Sequence, residues 1–570
     1  MRPRCFPVAI RLLVAAALSG VPGCRHSDPA DLVLRHGAIY PVASDSLRVE
    51  ALAVRDGQIV YLGDARGAER LIGGRTAVLE LAGRMVLPGF RDTHLHPSAG
   101  VGLSECRFDE LKTREIVLDS VRKCAAAHPE QPWVRGRGWQ LPVFPDANPR
   151  KEWLDAVVPD RPVYLTAADG HSVWVNSKAL ALAGVSQSTR DPPNGRIERD
   201  PKTGEPSGTL RERAVDLVAS VLPPRTQTEL RAGLLRAVAL ANSFGIVALH
   251  EASADPALLE AYAALDSAGQ LTARTIAAIR VDPPDGKAQL DSLRAWRGRF
   301  AGRRYFSPGA AKIFVDGVIE AKTAALLAPY LGTNDSTWSG EPNLSPAALD
   351  TLVAAIDAAG FQVHQHAIGD RAVRMALDAL AFARRHNGPR DARPIIAHLE
   401  LIDSVDIPRF AELEVIPSFQ PLWAYADDYI TRLTEPVLGP ERSRWLYPIG
   451  SVAKTGAHLA AGSDWSVSSL NPLDAIQVAV TRRALDAPPG PAWIPQEVVS
   501  LRTILVAYTS GGAYAAGEEA TRGTLELGKA ADLVVLDRDL YRIPANEIHT
   551  AKVLLTLLDG REVWRDRSLR

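Results

Sequence analysis

The segment Met85-Val-Leu-Pro-Gly-Phe-Arg-Asp-Thr-His94-Leu-His96-Pro places two imidazoles two residues apart where an apolar run ends. Residues at that spacing share one face of a strand, so His94 and His96 point together, and converging imidazoles suit a divalent transition metal. Three later apolar runs end in the same way. His366 closes Phe361-Gln-Val-His-Gln-His, His398 closes Pro394-Ile-Ile-Ala-His, and Asp464 closes Leu459-Ala-Ala-Gly-Ser-Asp. Singly, each is an ordinary polar residue capping a loop; several independent strand ends delivering ligand-type side chains weaken that explanation. Lys312, in Gly309-Ala-Ala-Lys-Ile-Phe-Val-Asp316, is costly inside an apolar strand unless it is paired or modified. One reading is an ion pair with Asp316 or another carboxylate. The other is a carbamate formed with CO₂, a carboxylate able to bridge two cations.

Side chains on strand ends need a sheet to hold them together. Apolar β runs occur at Met85–Phe90, Val163–Thr166, Ile246–Leu249, Ala311–Val315, Phe361–Val363, Ile395–Ala397, Val415–Pro417 and Ala457–Ala461. Amphipathic stretches such as Ala347–Ala359 and Arg371–Arg385 follow many of them. Strands alternating with helices predict βα units around a parallel sheet, and eight such units close a barrel whose active site lies at the strand C-termini. The barrel is expected over 88–514. The run from about 98 to 240 is too long for one βα connection and predicts an inserted subdomain. Residues 31–87 and 515–570 are β-rich, each with a hairpin signal, Asp56-Gly57 and Asp559-Gly560. They either pair into one composite β-sandwich or stand as two separate appendages.

Composition narrows the function classes. The chain has 570 residues, with 65 Lys+Arg against 66 Asp+Glu. That balance supplies no basic field for nucleic acid, and none is expected as a partner. Residues 1–24 read as an export signal: a basic head, Arg11, and an apolar stretch Leu12–Val21 too short for a spanning helix of about 20 residues. Leu18–Cys24 resembles a bacterial lipobox, although Pro22 fits that pattern poorly. A lipid on Cys24 would be the one membrane attachment, making the protein periplasmic or a membrane-anchored lipoprotein. Cys106 and Cys124 then remain as an even pair, either a disulfide or two buried thiols.

The ligand-type set, in this order, resembles the amidohydrolase superfamily over the whole chain beyond the signal. More narrowly it is similar to the branch containing N-substituted formamide deformylases. The carrying segments are Val86-Leu-Pro-Gly-Phe with His94 and His96, Asp169-Gly-His-Ser-Val-Trp-Val-Asn-Ser, Lys312-Ile-Phe-Val-Asp-Gly, His366-Ala-Ile-Gly-Asp-Arg-Ala-Val, Gly462-Ser-Asp-Trp and Gly528-Lys-Ala-Ala-Asp-Leu-Val-Val-Leu-Asp. The resemblance implies an α/β fold: a (β/α)₈ TIM-like barrel with a composite β-sandwich. It makes His94 and His96 ligands of one divalent ion, most simply Zn²⁺, and His366 and His398 ligands of another. Lys312 becomes the carbamate bridge, and Asp464 a ligand and general base. It also brings His171 and Trp174 of the insertion toward the pocket. Gln420 and Trp423 follow the next strand and are read as lining the pocket, with packing the alternative for Trp423. His364 is read as polar packing, and His250 as a strand-end histidine outside the pattern.

The sequence departs from the branch in three places: Ala397 precedes His398 where Glu is usual, Gln140 follows Gly138-Trp139, and Ser466 stands where Pro is frequent. The implied reaction is hydrolysis of an amide-type C–N bond in a small molecule. Two other readings are an exported lipoprotein that uses the scaffold to bind a ligand, and the same centre used for deamination, ester hydrolysis or isomerisation. Homo-oligomerisation is left open.

Overall fold

A computed structural model describes residues 28–44, 48–282 and 288–569. The export signal and Cys24 lie outside the described residues. Eight strands form one parallel sheet in chain order: β1 (Phe90–Leu95), β2 (Ile246–Ala254), β3 (Arg274–Arg280), β4 (Phe306–Phe314), β5 (Gln362–Ala367), β6 (Ile395–His398), β7 (Ile416–Phe419) and β8 (Ala460–Ala461). Nearly every residue of β5 to β8 is buried, the signature of a parallel sheet covered on both faces. The edges β1 and β8 meet through Thr93, whose hydroxyl donates to the Ala461 carbonyl at 3.0 Å. Just beyond, Asp464 N donates to His94 O, and His96 N to Trp465 O, both at 2.7 Å. The TIM-like barrel is therefore present, and its seam runs through the ligand-type residues.

The helices around it begin where the sequence says they should. Gln227–Ser243 starts from a capping box between Thr226 and Glu229. Asp255 and Ser345 cap Pro256–Ser267 and Pro346–Ala358, each with Pro in the first turn. Among the described residues, no helix is long and apolar enough to cross a membrane.

Two of the eight apolar runs lie outside the barrel. Met85–Pro88 belongs to a terminal sheet, and the chain turns at Gly89, where a Cβ would come within 2.6 Å of Val247, before β1 starts. Val163–Ala167 belongs to a six-stranded sheet between β1 and β2, with strand order Gly195–Arg199, Pro206–Glu212, Ser172–Val175, Val163–Ala167, Val134–Trp139, Cys106–Arg107. A disulfide joins Cys106 to Cys124 beside this sheet, with Cα atoms 5.8 Å apart.

Both ends of the chain build one module. Met85–Pro88 pairs antiparallel with Leu533–Leu536, Val86 facing Val535, inside a five-stranded sheet. A four-stranded sheet from residues 32–80 packs against it over Leu34, Leu52, Val86, Leu533, Val535 and Leu555. Both Asp-Gly pairs turn with positive φ: Asp56 50° and Gly57 76°, Asp559 48° and Gly560 69°. This is the conformation a two-residue hairpin requires.

Candidate metal centre

The C-terminal ends of β1, β4, β5 and β6, with the turn after β8, converge on one buried polar cluster. His94 leaves β1 fully buried, its Nδ1 2.8 Å from His364 Nε2 and its Nε2 3.4 Å from Lys312 Nζ. His96 Nε2 lies 3.1 Å from Asp464 Oδ1, and its Nδ1 lies 3.7 Å from Glu251 Oε1. His398 Nδ1 lies 3.9 Å from Asp464 Oδ2, and the His398 ring centre is 4.4 Å from that of His366. One ligand atom each from His94, His398 and Asp464 fall within 4.8 Å of one another. This trio draws on both histidine pairs that the resemblance assigns to separate ions.

His398 and Asp464 are carried on left-handed backbone, with φ of 78° and 51°. Non-glycine residues held there occur preferentially at functional sites. The turn bearing Asp464 is fixed by Asp92, which accepts from Ser463 N and His94 N at 3.1 Å. Lys312 has no ion-pair partner among the described residues. Asp316, its expected partner, instead accepts from Ala325, Ile368 and Gly369 N–H groups at 2.9–3.0 Å and orders the loops after β4 and β5.

The electrostatics favour neutral donors at every ligand-type histidine but His96. Burial, reinforced by neighbouring Lys312, holds His94, His364, His366 and His398 well below the usual imidazole range. Burial also pulls the Lys312 ammonium down to about 7, against the charges of Asp464 and Glu251. Burial works against protonating His96 too, but hydrogen bonds to Asp464 and Glu251 outweigh it and raise its pKa to about 9. Deprotonated imidazoles, a neutral-leaning amine and one carboxylate are a donor set for a divalent transition ion. His398 Nδ1 is buried without a hydrogen-bond partner, as a free ligand atom would be. The residues present fit such an ion.

Around this core, His171 reaches in from the inserted sheet. Its ring centre is 5.1 Å from that of His366, and its Nδ1 is 2.9 Å from Glu212 Oε2. Trp423 stacks on His398 at 5.7 Å, and Gln420 is buried with both amide atoms unpartnered. Trp174 lies elsewhere. It is 0% exposed in the core of the inserted sheet, among Trp139, Phe144 and Trp153, and its Nε1 donates to Arg150 O at 3.0 Å. Strand alternation turns its indole into that sheet's own core, so it is a packing residue rather than a pocket wall.

The sequence reading missed three supporting residues: Glu251 faces His96, Asp92 ties the seam, and Glu212 holds His171. Thr323 in turn donates to Glu212 Oε1 at 2.7 Å. His364, read as polar packing, holds His94. For His364 the signal was present, since it shares a strand face with His366.

A barrel with histidines, a lysine and an aspartate gathered at the C-terminal ends of its strands has the architecture of a metal-centred barrel protein. A model of the Amidohydrolase family matches residues 77–564, and the chain belongs to that family. It is 30% identical to the protein LONG AFTER FAR-RED 3 of Arabidopsis thaliana over 94% of this chain and 92% of that one. It is 26% identical to an N-substituted formamide deformylase of Arthrobacter pascens over 93% of this chain and 97% of that one. An uncharacterized metal-dependent hydrolase from Pyrococcus furiosus superposes with a TM-score of 0.69 at 27% identity, covering 89% of this chain and 99% of that one.

Proposed function

We propose that the protein is an exported metal-dependent hydrolase that cleaves an amide-type C–N bond of a small molecule. The observation that carries this reading is the meeting of His94, His398 and Asp464 within 4.8 Å beside buried Lys312, in a chain of this family. His94, His96, His366, His398 and Asp464 would hold one or two divalent ions, Zn²⁺ being the simplest choice. A carbamate on Lys312 would supply a further oxygen donor. When bound, the metal acidifies water and polarises a carbonyl.

The chain's own groups do the rest. Asp464 takes the proton of the attacking water on a carboxylate oxygen as the water oxygen bonds to the carbonyl carbon. It then returns that proton to the nitrogen as the C–N bond breaks, releasing an acid and an amine. His171, held by Glu212, donates a hydrogen bond to the oxygen on which negative charge develops. Gln420 offers its free amide to the polar part of the substrate, and Trp423 packs its apolar substituent. Similarity to a formamide deformylase supports formamides as the first compounds to try. The Cys106–Cys124 disulfide supports export to an oxidising compartment; the lipobox-like segment before Cys24 would make that cysteine a lipid attachment point.

The test is a panel of N-substituted formamides, N-acyl amino acids, cyclic amides and esters, offered to the metal-loaded protein and to Asp464→Asn. Amine release by the wild type, reduced about 10²–10⁴-fold in the variant with metal retained, is expected. Turnover of esters alone, or full activity in Asp464→Asn, overturns the reading.

A further inference from the structure

The opposite end of the barrel holds a second cavity. Its volume is about 180 Å³, and Arg91, His250, Arg274, Arg303, Tyr305 and Glu518 are among its walls. These come from the first halves of β1 and β2, the start of β3, the turn before β4, and the segment after residue 512. Of the candidate metal ligands, His94 and Lys312 lie toward the other ends of β1 and β4. At about 30 Å³ per water, the space would take roughly six waters, or one small ion with a few.

The charge around this cavity does not balance. Glu518 pairs with Arg91 and lies 3.7 Å from Arg522, which is also 3.7 Å from Asp532. Asp532 lies 3.1 Å from Arg274, and Asp559 is shared by Arg274 and Arg304. Arg303 has no carboxylate partner among the described residues and spends Nη1 on the Ala263 carbonyl and the Ser267 hydroxyl. Four guanidiniums, of Arg91, Arg274, Arg303 and Arg304, line the cavity against two carboxylates, Glu518 and Asp92. The Asp92 oxygens also accept from Ser463 and His94 N–H groups. Guanidiniums stay protonated at any ordinary pH, so the surplus is permanent.

The donors are in surplus as well. Among the described residues, Arg91 Nε and Arg303 Nε have no hydrogen-bond partner, and Arg91 is only 4% exposed; His250 Nε2, on a ring 3% exposed, is also unpartnered, as donor or acceptor according to its tautomer. Buried donors left unmade are expensive, and charged ones more so. A small anion with several acceptor oxygens would answer both the charge and the donors.

We propose that this cavity is a second ligand site that binds one small oxyanion, of phosphate or short-carboxylate size. It is built jointly by the barrel and the C-terminal segment, and is separate from the metal centre. It approaches that centre through Asp92, which accepts from His94 N at 3.1 Å, and through His250, whose ring lies 6.1 Å from that of His364.

Equilibrium dialysis of the metal-loaded full chain against labelled inorganic phosphate, with acetate as competitor and chloride at matched ionic strength as control, tests this. We expect one phosphate per chain, displaced by acetate but not by chloride. Arg303→Gln, at a half-buried position without a carboxylate partner, should weaken binding about tenfold or more. His250→Phe, which keeps a ring of similar size, should do the same, and Asp464→Asn should leave binding unchanged. No saturable binding beyond the chloride control overturns the site. So does binding that survives both Arg303→Gln and His250→Phe, or that is lost in Asp464→Asn.

Discussion

His171 Nδ1 lies 2.9 Å from Glu212 Oε2 across two neighbouring strands of the inserted sheet, while Glu212 N donates to His171 O at 2.9 Å. The insertion thereby presents one imidazole to the barrel mouth in a fixed orientation. Burial disfavours the imidazolium, but the charge and hydrogen bond of Glu212 outweigh it, and the pKa rises to about 9. Because the folded value exceeds the ordinary value of about 6.5, this contribution to stability is fully present below that pH and is lost as pH rises through about 9. In urea unfolding of the metal-free protein, the stability gap between wild type and His171→Gln should therefore close over that window. A gap that widens with pH would refute the pairing.

Lys312 is buried and has no ion-pair partner among the described residues, and its replacement should cost the protein its metal. Lys312→Ala is expected to purify with strongly reduced metal content by elemental analysis. Short-chain carboxylates added during loading should restore part of it, because they replace the missing oxygen donor. Unchanged metal content in the variant would count against a bridging role.

His364 Nε2 lies 2.8 Å from His94 Nδ1 and supports that ring from behind. Its replacement by Phe keeps the packing and frees His94 Nδ1. Loss of such a supporting hydrogen bond typically weakens metal affinity about 10–100-fold. Competition with a chromophoric chelator should read a drop of that size, and an unaltered affinity would make His364 mere filler.

Trp174→Phe separates packing from substrate contact. The variant leaves Arg150 O without its indole donor, a loss of about 1–3 kcal/mol in unfolding free energy. KM for whichever amide is turned over should stay at the wild-type value. A raised KM at undiminished stability would return Trp174 to the pocket.

Much of the site was legible because polar residues at the ends of apolar strands are conspicuous. His94, His96, Lys312, His366, His398 and Asp464 each interrupt or close such a run. Glu251 was hidden because it sits in a long buried strand beside a more noticeable histidine, His250. β3 was missed because Arg274 and Arg280 bracket its apolar stretch. Arg274 is buried only because Asp532, 258 residues later, comes to meet it. The run at Met85 looked like one strand, yet the turn at Gly89 divides it between two sheets. Local alternation reports that a segment is a strand; which sheet it joins depends on partners far along the chain. The same limit kept the pairing of both termini open until their register was seen.

The seam between β1 and β8 joins Thr93 to Ala461, 368 residues apart, and it is also where Asp464 meets the histidines. During synthesis, almost the entire polypeptide must therefore leave the ribosome before an ion can find its full set of donors. Captured metal would then mark a chain that has been made and closed, and a nascent or truncated chain would give it up.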